Sequence, residues 1–369
     1  MARDSLVPAR TTSAGRIHGH VTTDIQVGVS RDPADLRSEW DALVDTVAAP
    51  PWFRSTWVQA WMTAFGTGRL ELIEARREGR LVGLVPMQRS AGGLRSTTNY
   101  HTPSFGLLAA DEAAREALAA ALVGLAPSTL SLAFVPGGDP TDMAISEAAR
   151  LAGRRSVRRV LERCPFIVPE GSFEAFLAAR RGHMAREIRR RERRLADQGR
   201  LSFQVHDGAD DLPRLLDEGF AVEAAGWKGQ RGTAIGSSSR TRGFYTAVAG
   251  SLAARGALRL GFLRLDGRPF AFDLAIEEGG VHSLLKTGYD PAMRASGPGM
   301  LLRARMLERA FDLRLQRYDF LGHDDPWKRE WTTDAQEQVL IQVFHGSRGL
   351  LDWTLQRYAR PIARRLRRR

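Results

Sequence analysis

The chain has 369 residues, 43% apolar and 26% charged, with a net charge of +12 and a pI near 10.8. That length exceeds the size at which single cores stop growing and predicts about two domains, and the apolar share excludes wholesale disorder. The single cysteine, Cys164, excludes an internal disulfide and fits a reducing cytoplasm, and no apolar run approaches the roughly 20 residues that span a bilayer.

The N-terminus carries charge without the apolar centre of a signal peptide, so residues 1–23 are expected to form a flexible tail. From Asp24, "DIQVGVS" alternates as a strand. "DPADLRSEWDALVDTV" reads as an amphipathic helix opened by Asp32-Pro33, and "RSTWVQAWMTAFG" as a second helix. "RLELIEARREGRLVGLVPMQRS" predicts a hairpin turning at Glu78-Gly79. Helices near 111–125 and 141–152 then alternate with strands near 128–135 and 156–168, which makes residues 24–170 one mixed α/β unit.

Residues 171–200 read as charged linker helices. Arg186, Arg189, Arg190, Arg193 and Arg194 spread around that helix, with acids between them, so it reads as solvated. Residues 201–346 form a second unit: a strand, a helix over "ADDLPRLLDEGFAVEAAGW", a Gly/Ser-rich loop and a helix over "RTRGFYTAVAGSLAARG". Three strands punctuated by Asp266-Gly267 and Gly279-Gly280 follow, then a helix near 299–312, the strand "LQRYDFLG" and a last strand "QEQVLIQVF". Residues 347–369 are expected to be a basic helix and tail, a possible peripheral contact with a membrane.

Laid side by side, the units follow one order of elements, which predicts two copies of a single α/β fold with mixed (α+β) sheets, joined by the charged helical segment. Only the second carries "RASGPG", so the chemistry is expected there. Among 54 basic residues only Lys228, Lys286 and Lys328 are lysines, all in the second half. Lysine offers a compact, tunable charge that a guanidinium cannot imitate, so these three are candidate site residues.

Strand residues 281–287 run into "GYDPAMRASGPG", and apolar residues recur at helical spacing from Met300 to Phe311. The glycines thus stand at a helix N-terminus, where free backbone N–H groups and a partial positive charge favour phosphate. Arg294-x-x-Gly297-x-Gly299 has the spacing of the Arg/Gln-x-x-Gly-x-Gly/Ala signature, and on it the chain resembles the GNAT-superfamily acyltransferases. "RYDFLGHDDPWKREWTT" (317–333), "PWFRSTWVQAWMTAFG" and "GRLVGLVPM" resemble the CelD/BioF-type acetyltransferase branch, whose members carry tandem GNAT-like domains. Trp327-Lys328 is similar to the aromatic-lysine pair of the Fem-type transferases, although the long helical insertion of that group has no counterpart here.

The resemblance implies acetyl-CoA or another acyl-CoA as co-substrate, held by Arg294, Ser296, Gly297, Gly299 and Met300, and an amine acceptor, a precursor of a cell-surface polysaccharide among the candidates. Acyl transfer needs a neutral nucleophile, support for the oxyanion and a proton for the thiolate. Asp319 is the candidate base and Glu223 a second, Tyr289 the acid, and Lys328 a charge beside the oxyanion. Alternation along a strand turns Tyr318 away from the face of Asp319, which favours Tyr289 over Tyr318. Trp227, Lys228, Lys286 and His323 are expected to meet the substrate. No HExxH or CxxC is present, so no metal is expected, and nucleic acid is not the expected partner. Transfer from aminoacyl-tRNA and a non-catalytic GNAT-like binding protein stand as the alternatives.

Overall fold

The computed structural model describes residues 24–180, 183–226, 235–347 and 349. The expected N-terminal tail and the C-terminal helix and tail from Leu350 lie outside the described residues, as do Trp227 and Lys228.

The first half runs β1 (Ile25–Ser30), α1 (Pro33–Thr46), α2 (Ser55–Phe65), β2 (Arg69–Arg77), β3 (Arg80–Ser90), β4 (Gly93–Ser96), β5 (Leu108–Ala109), α3 (Glu112–Leu125), β6 (Thr129–Pro136), α4 (Pro140–Leu151) and β7 (Arg155–Ile167). Helices α5 (Phe173–Ala178) and α6 (Met184–Ala196) bridge to the second half. That half comprises β8 (Leu201–His206), α7 (Leu212–Ala225), α8 (Ser239–Ala253), β9 (Leu258–Leu265), β10 (Arg268–Glu278), β11 (Val281–Tyr289), α9 (Pro298–Asp312), β12 (Arg317–Asp319), α10 (Pro326–Arg329) and β13 (Ala335–Phe344). At the three expected hairpins both turn residues have positive φ, for example 51° at Glu78 and 78° at Gly79, as two-residue loops between twisted strands require.

Twelve strands join in the order β1-β2-β3-β4-β6-β13-β7-β12-β11-β10-β9-β8, and β5 pairs with β3. The fold is thus a mixed α/β one, but the halves are interlocked. β13, the last strand of the second half, lies antiparallel between β6 and β7 of the first. β7 in turn reaches past β13 and pairs through Phe166 and Ile167 with β12. The halves also share a core: Trp57 and Trp61 of α2 are buried with Phe220 of α7, Phe244 and Val248 of α8, and Phe262 and Phe272 of the second sheet. Burying each such aromatic contributes on the order of 1.5–3 kcal/mol, so neither half presents an independent apolar face here.

One local feature positions the site. β11 and β12 run parallel and pair only over Val281–Ser283 and Arg317–Asp319. Beyond Ser283, β11 continues to Tyr289 paired on one side alone, with β10, and the other edge is left open by the divergence of β12. A bulge interrupts the β10–β11 register between Leu274 and Ala275, opposite Leu285.

Candidate active site

The open edge of β11 leads into a 3-10 turn, Pro291–Ser296, and then into α9. Asp290 caps the turn by accepting the Ala292 N–H at 2.9 Å. Gly297 stands at the cap of α9 with φ 65° and ψ 48°, a left-handed conformation that glycine adopts without strain, and no side chain caps the helix. The N–H groups of its first turn therefore face outward, since Pro298 has none to offer and Leu301 is the first to find a helical carbonyl, that of Gly297.

Arg191 of α6 closes over this turn. A Cβ at Gly297 would overlap its guanidinium, and Arg191 donates from Nη1 to the Ala295 carbonyl at 3.2 Å and from Nε to Glu187 at 2.6 Å. The basic helix is accordingly not a solvated rod on all sides, as its sequence suggests. It buries Met184, Ile188 and Leu195, and it delivers one arginine to the glycine turn. Arg294 contributes its carbonyl to the Gly297 N–H at 3.0 Å, Met300 packs at the margin of the core, and a Cβ on Gly299 would meet only the Tyr289 ring, at 3.7 Å. Ser296 ends the turn, half-buried.

Helix α9 packs on the sheet through Leu301, Leu302, Met306 and Leu307, and it adds one buried ion pair. Arg303, fully buried, lies 3.0 Å from Asp273 of β10 and donates to the Tyr318 hydroxyl, whose ring stacks on His282 at 4.6 Å. Tyr318 thus faces α9 and is committed there, as alternation along the strand requires.

Asp319 ends β12 at the closed end of the divergence. Its Oδ1 accepts from the Leu321 N–H at 2.9 Å, its Oδ2 pairs with Arg317 at 3.0 Å, and burial holds its carboxyl above the usual range. A raised carboxylate pKa suits a base that works near neutrality. Lys328 is buried and donates to the carbonyls of Leu321 at 2.6 Å and His323 at 2.7 Å, with Asp325 at 3.6 Å. Its three donors are directed at the loop after β12, so its first task is to hold that loop in place. Its charge still reaches both Asp319 and Cys164, and burial lowers its pKa. His323, on the same loop, pairs with Glu162 at 2.5 Å. Burial pushes the Cys164 thiol up to about 12, which leaves it inert as a nucleophile.

The structure does not bring Asp319 and Tyr289 together, and this corrects the expectation that they serve one carbon as base and acid. Asp319 is level with Ser283 in the register. Tyr289 lies six residues further along β11, beside the α9 N-terminus, a distance of about 20 Å along a strand. Groups that exchange protons with one reaction centre must each come within hydrogen-bond reach of it. Tyr289 therefore lies at the α9 end of the open edge, away from Asp319.

On the opposite face of β11, Glu223 is buried, accepts the Ile235 N–H at 2.7 Å and packs so closely on Gly288 that a Cβ there would come within 2.6 Å of its Cα. Lys286, next to the bulge, places its Nζ 5.1 Å from the centre of the buried Tyr245 ring. His101 of the first half lies 3.0 Å through Nδ1 from the Tyr245 hydroxyl. Neither Tyr245 nor His101 is marked by any periodic pattern or motif, yet one signal was available: the chain has only five tyrosines. The four within the described residues, Tyr100, Tyr245, Tyr289 and Tyr318, all contact the elements around the open edge.

Residues 182–329 match the family model of the acetyltransferase (GNAT) domain. The second half carries a GNAT acetyltransferase domain, and with it the function of an acyltransferase. Solved structures extend the likeness of fold to nearly the whole chain. FemX is 12% identical with a TM-score of 0.53 over 83% of this chain and 95% of its own. L-PGS from Bacillus licheniformis is 12% identical with a TM-score of 0.51 over 86% of this chain and 93% of its own. A conserved protein of unknown function from Bacteroides thetaiotaomicron is 10% identical with a TM-score of 0.54 over 87% of this chain and 100% of its own. No curated protein matches the chain. Among the described residues no group of His, Cys, Asp and Glu could hold a metal ion, and no helix is long and apolar enough to cross a membrane.

Proposed function

We propose that the second half transfers an acyl group, acetyl first among the candidates, from acyl-CoA to an amine. The observation that carries this reading is the uncapped N-terminus of α9, with a glycine cap, an arginine beside it and an open strand edge leading to it. In this reading the first-turn N–H groups, Arg191 and the Tyr289 hydroxyl hold the pyrophosphate, with Arg294, Ser296 and Met300 framing them. The extended arm of the donor pairs along the open backbone of β11 from 284 to 289. Asp319 takes the amine proton, with Glu223 the second candidate, and Lys328 supports the developing negative charge at the closed end while fixing the loop that carries His323. The acceptor is an amine in a cell-surface polysaccharide precursor, and membership of the CelD/BioF-type branch follows from the same stretches, residues 317–333 above all. The single, buried cysteine supports a reducing cytoplasm.

The test uses the purified chain. Acetyl-CoA at millimolar concentration raises the melting temperature, and a screen of amines for thiol release then yields the acceptor. No shift in melting temperature removes the donor assignment.

A second reading is transfer from an aminoacyl-tRNA. It is favoured by the exposed Arg186, Arg189, Arg190, Arg193 and Arg194 on the helix that delivers Arg191 to the turn, and by a fold shared with FemX. Strongly salt-dependent binding of tRNA without binding of acetyl-CoA is its signature.

A further inference from the structure

The first half reaches into this site. Between β4 and β5 the chain "TTNYHTPS" (97–104) has no regular structure, yet it is held firmly. Three indole N–H groups of the α2 region donate to it: Trp52 to Ser104 at 2.9 Å, Trp57 to Thr102 at 3.3 Å and Trp61 to Asn99 at 3.1 Å. The Gln338 amide of β13 donates to the Pro103 carbonyl.

On its far side this loop touches what flanks the open edge: α8, whose Tyr245 lies against Lys286 of β11, and the loop after β12. On the β11 lip, His101 stacks on Phe65 at 4.8 Å with 6° between the rings and meets the Tyr245 hydroxyl at 3.0 Å, and Tyr245 lies under Lys286 beside the bulge. On the β12 lip, the neighbouring Tyr100 lies 5.6 Å from the His323 ring, four residues after Asp319. Tyr100 is 67% exposed, with its ring against those of Phe134 and His323. Two adjacent residues of one loop therefore span the divergence at the level of the bulge and Asp319, well away from the phosphate end.

The geometry points to loop 97–104 of the first half as the acceptor-side wall of the transfer site in the second half, with His101 as its positioning residue and Tyr100 as the ring that faces the incoming amine. This inference rests on the acyl-transfer reading above. His101 acts through Tyr245: it fixes the phenol over which Lys286 lies, and so sets the distance between the two lips. Burial and the nearby Lys286 lower the His101 pKa to about 4, so the wall presents a neutral imidazole at physiological pH. On this account the second half alone is an incomplete enzyme, and the strand exchange through β13 and β7 keeps the wall in register with it.

Amide hydrogen exchange of the full chain, with and without acetyl-CoA, tests this. Acetyl-CoA is expected to slow exchange by at least about threefold at 297–301 and also at 97–104. His101→Leu keeps the slowing at 297–301 and loses it at 97–104, whereas His101→Gln, which retains a hydrogen-bonding partner for Tyr245, keeps both. If His101→Leu does not fold, Tyr100→Ala, at an exposed position, must reduce the slowing at 97–104. Slowing at 297–301 with none at 97–104 in the wild type overturns the inference and leaves the acyl-transfer reading standing. No slowing at either segment overturns that reading, and the inference falls with it.

Discussion

The two halves place equivalent helices between equivalent strands and treat their N-termini in opposite ways. In the first half α3 begins at Asp111, whose carboxylate accepts the Ala114 N–H at 2.9 Å and pairs with Arg77 at 2.8 Å. In the second, α9 begins at Gly297, without a side-chain cap and with Arg191 beside it. An anion is favoured at either position by the helix dipole, but the first half supplies its own and the second leaves room for a ligand's. The seating of the helices differs too. α3 buries only apolar side chains, Ala114, Leu118, Ala119, Leu122 and Val123, whereas α9 buries Arg303 against Asp273 and Tyr318 amid its apolar residues. Like order of elements thus does not bring like chemistry: α3 starts on its own carboxylate, and α9 starts without one.

Arg303→Met leaves Asp273 buried without its partner and should cost about 3–5 kcal/mol in urea unfolding, the largest effect expected. Adding Asp273→Leu makes the buried face of α9 wholly apolar, like that of α3, and the double variant should recover most of that loss. Asp111→Ala removes the cap of α3 and should cost about 1 kcal/mol while acetyl-CoA binding stays unchanged. If Asp111→Ala weakens that binding, the halves are more closely coupled than their helix termini imply.

The smallest effect in the neutral range concerns His101. Its folded pKa is lowered to about 4 by burial, below the unfolded value of about 6.5, so as pH falls the unfolded chain takes up the proton first. The melting temperature should therefore gain a term that is complete above pH ~6.5 and is lost as pH falls toward ~4, and His101→Gln should remove that term. An identical acid slope in both proteins would show that His101 is not desolvated.

Much of this difference between the halves was legible in the sequence. Helix and strand bounds follow from periodicity, the hairpins from their Glu-Gly, Asp-Gly and Gly-Gly pairs, and the glycine turn at a helix start from Arg294-x-x-Gly297-x-Gly299 between a strand and a helix. Lys286 and Lys328, the two scarce lysines within the described residues, stand on β11 and after β12, on opposite sides of the opening. Other features have no local signal. Periodicity says that β13 is a strand and not that β6 and β7 are its neighbours, because pairing is decided by packing across the chain. Alternation assigns Asp319 and Tyr318 to opposite faces, but the level of Asp319 relative to Tyr289 depends on a three-residue parallel register. His101 sits in an aperiodic loop and acquires its partner 144 residues away, and Arg191 looks like its exposed neighbours until the turn is placed beside it.

Whether the open N-terminus of α9 is the donor site is decided by calorimetric titration of acetyl-CoA into the wild type and into Gly297→Asp, which puts a carboxylate at the helix start and displaces the Arg191 guanidinium. Saturable binding of one acetyl-CoA per chain by the wild type, weakened about 100-fold or ~2.7 kcal/mol in Gly297→Asp, is the predicted result. Equal affinity in the two proteins, or no binding by the wild type, would contradict it.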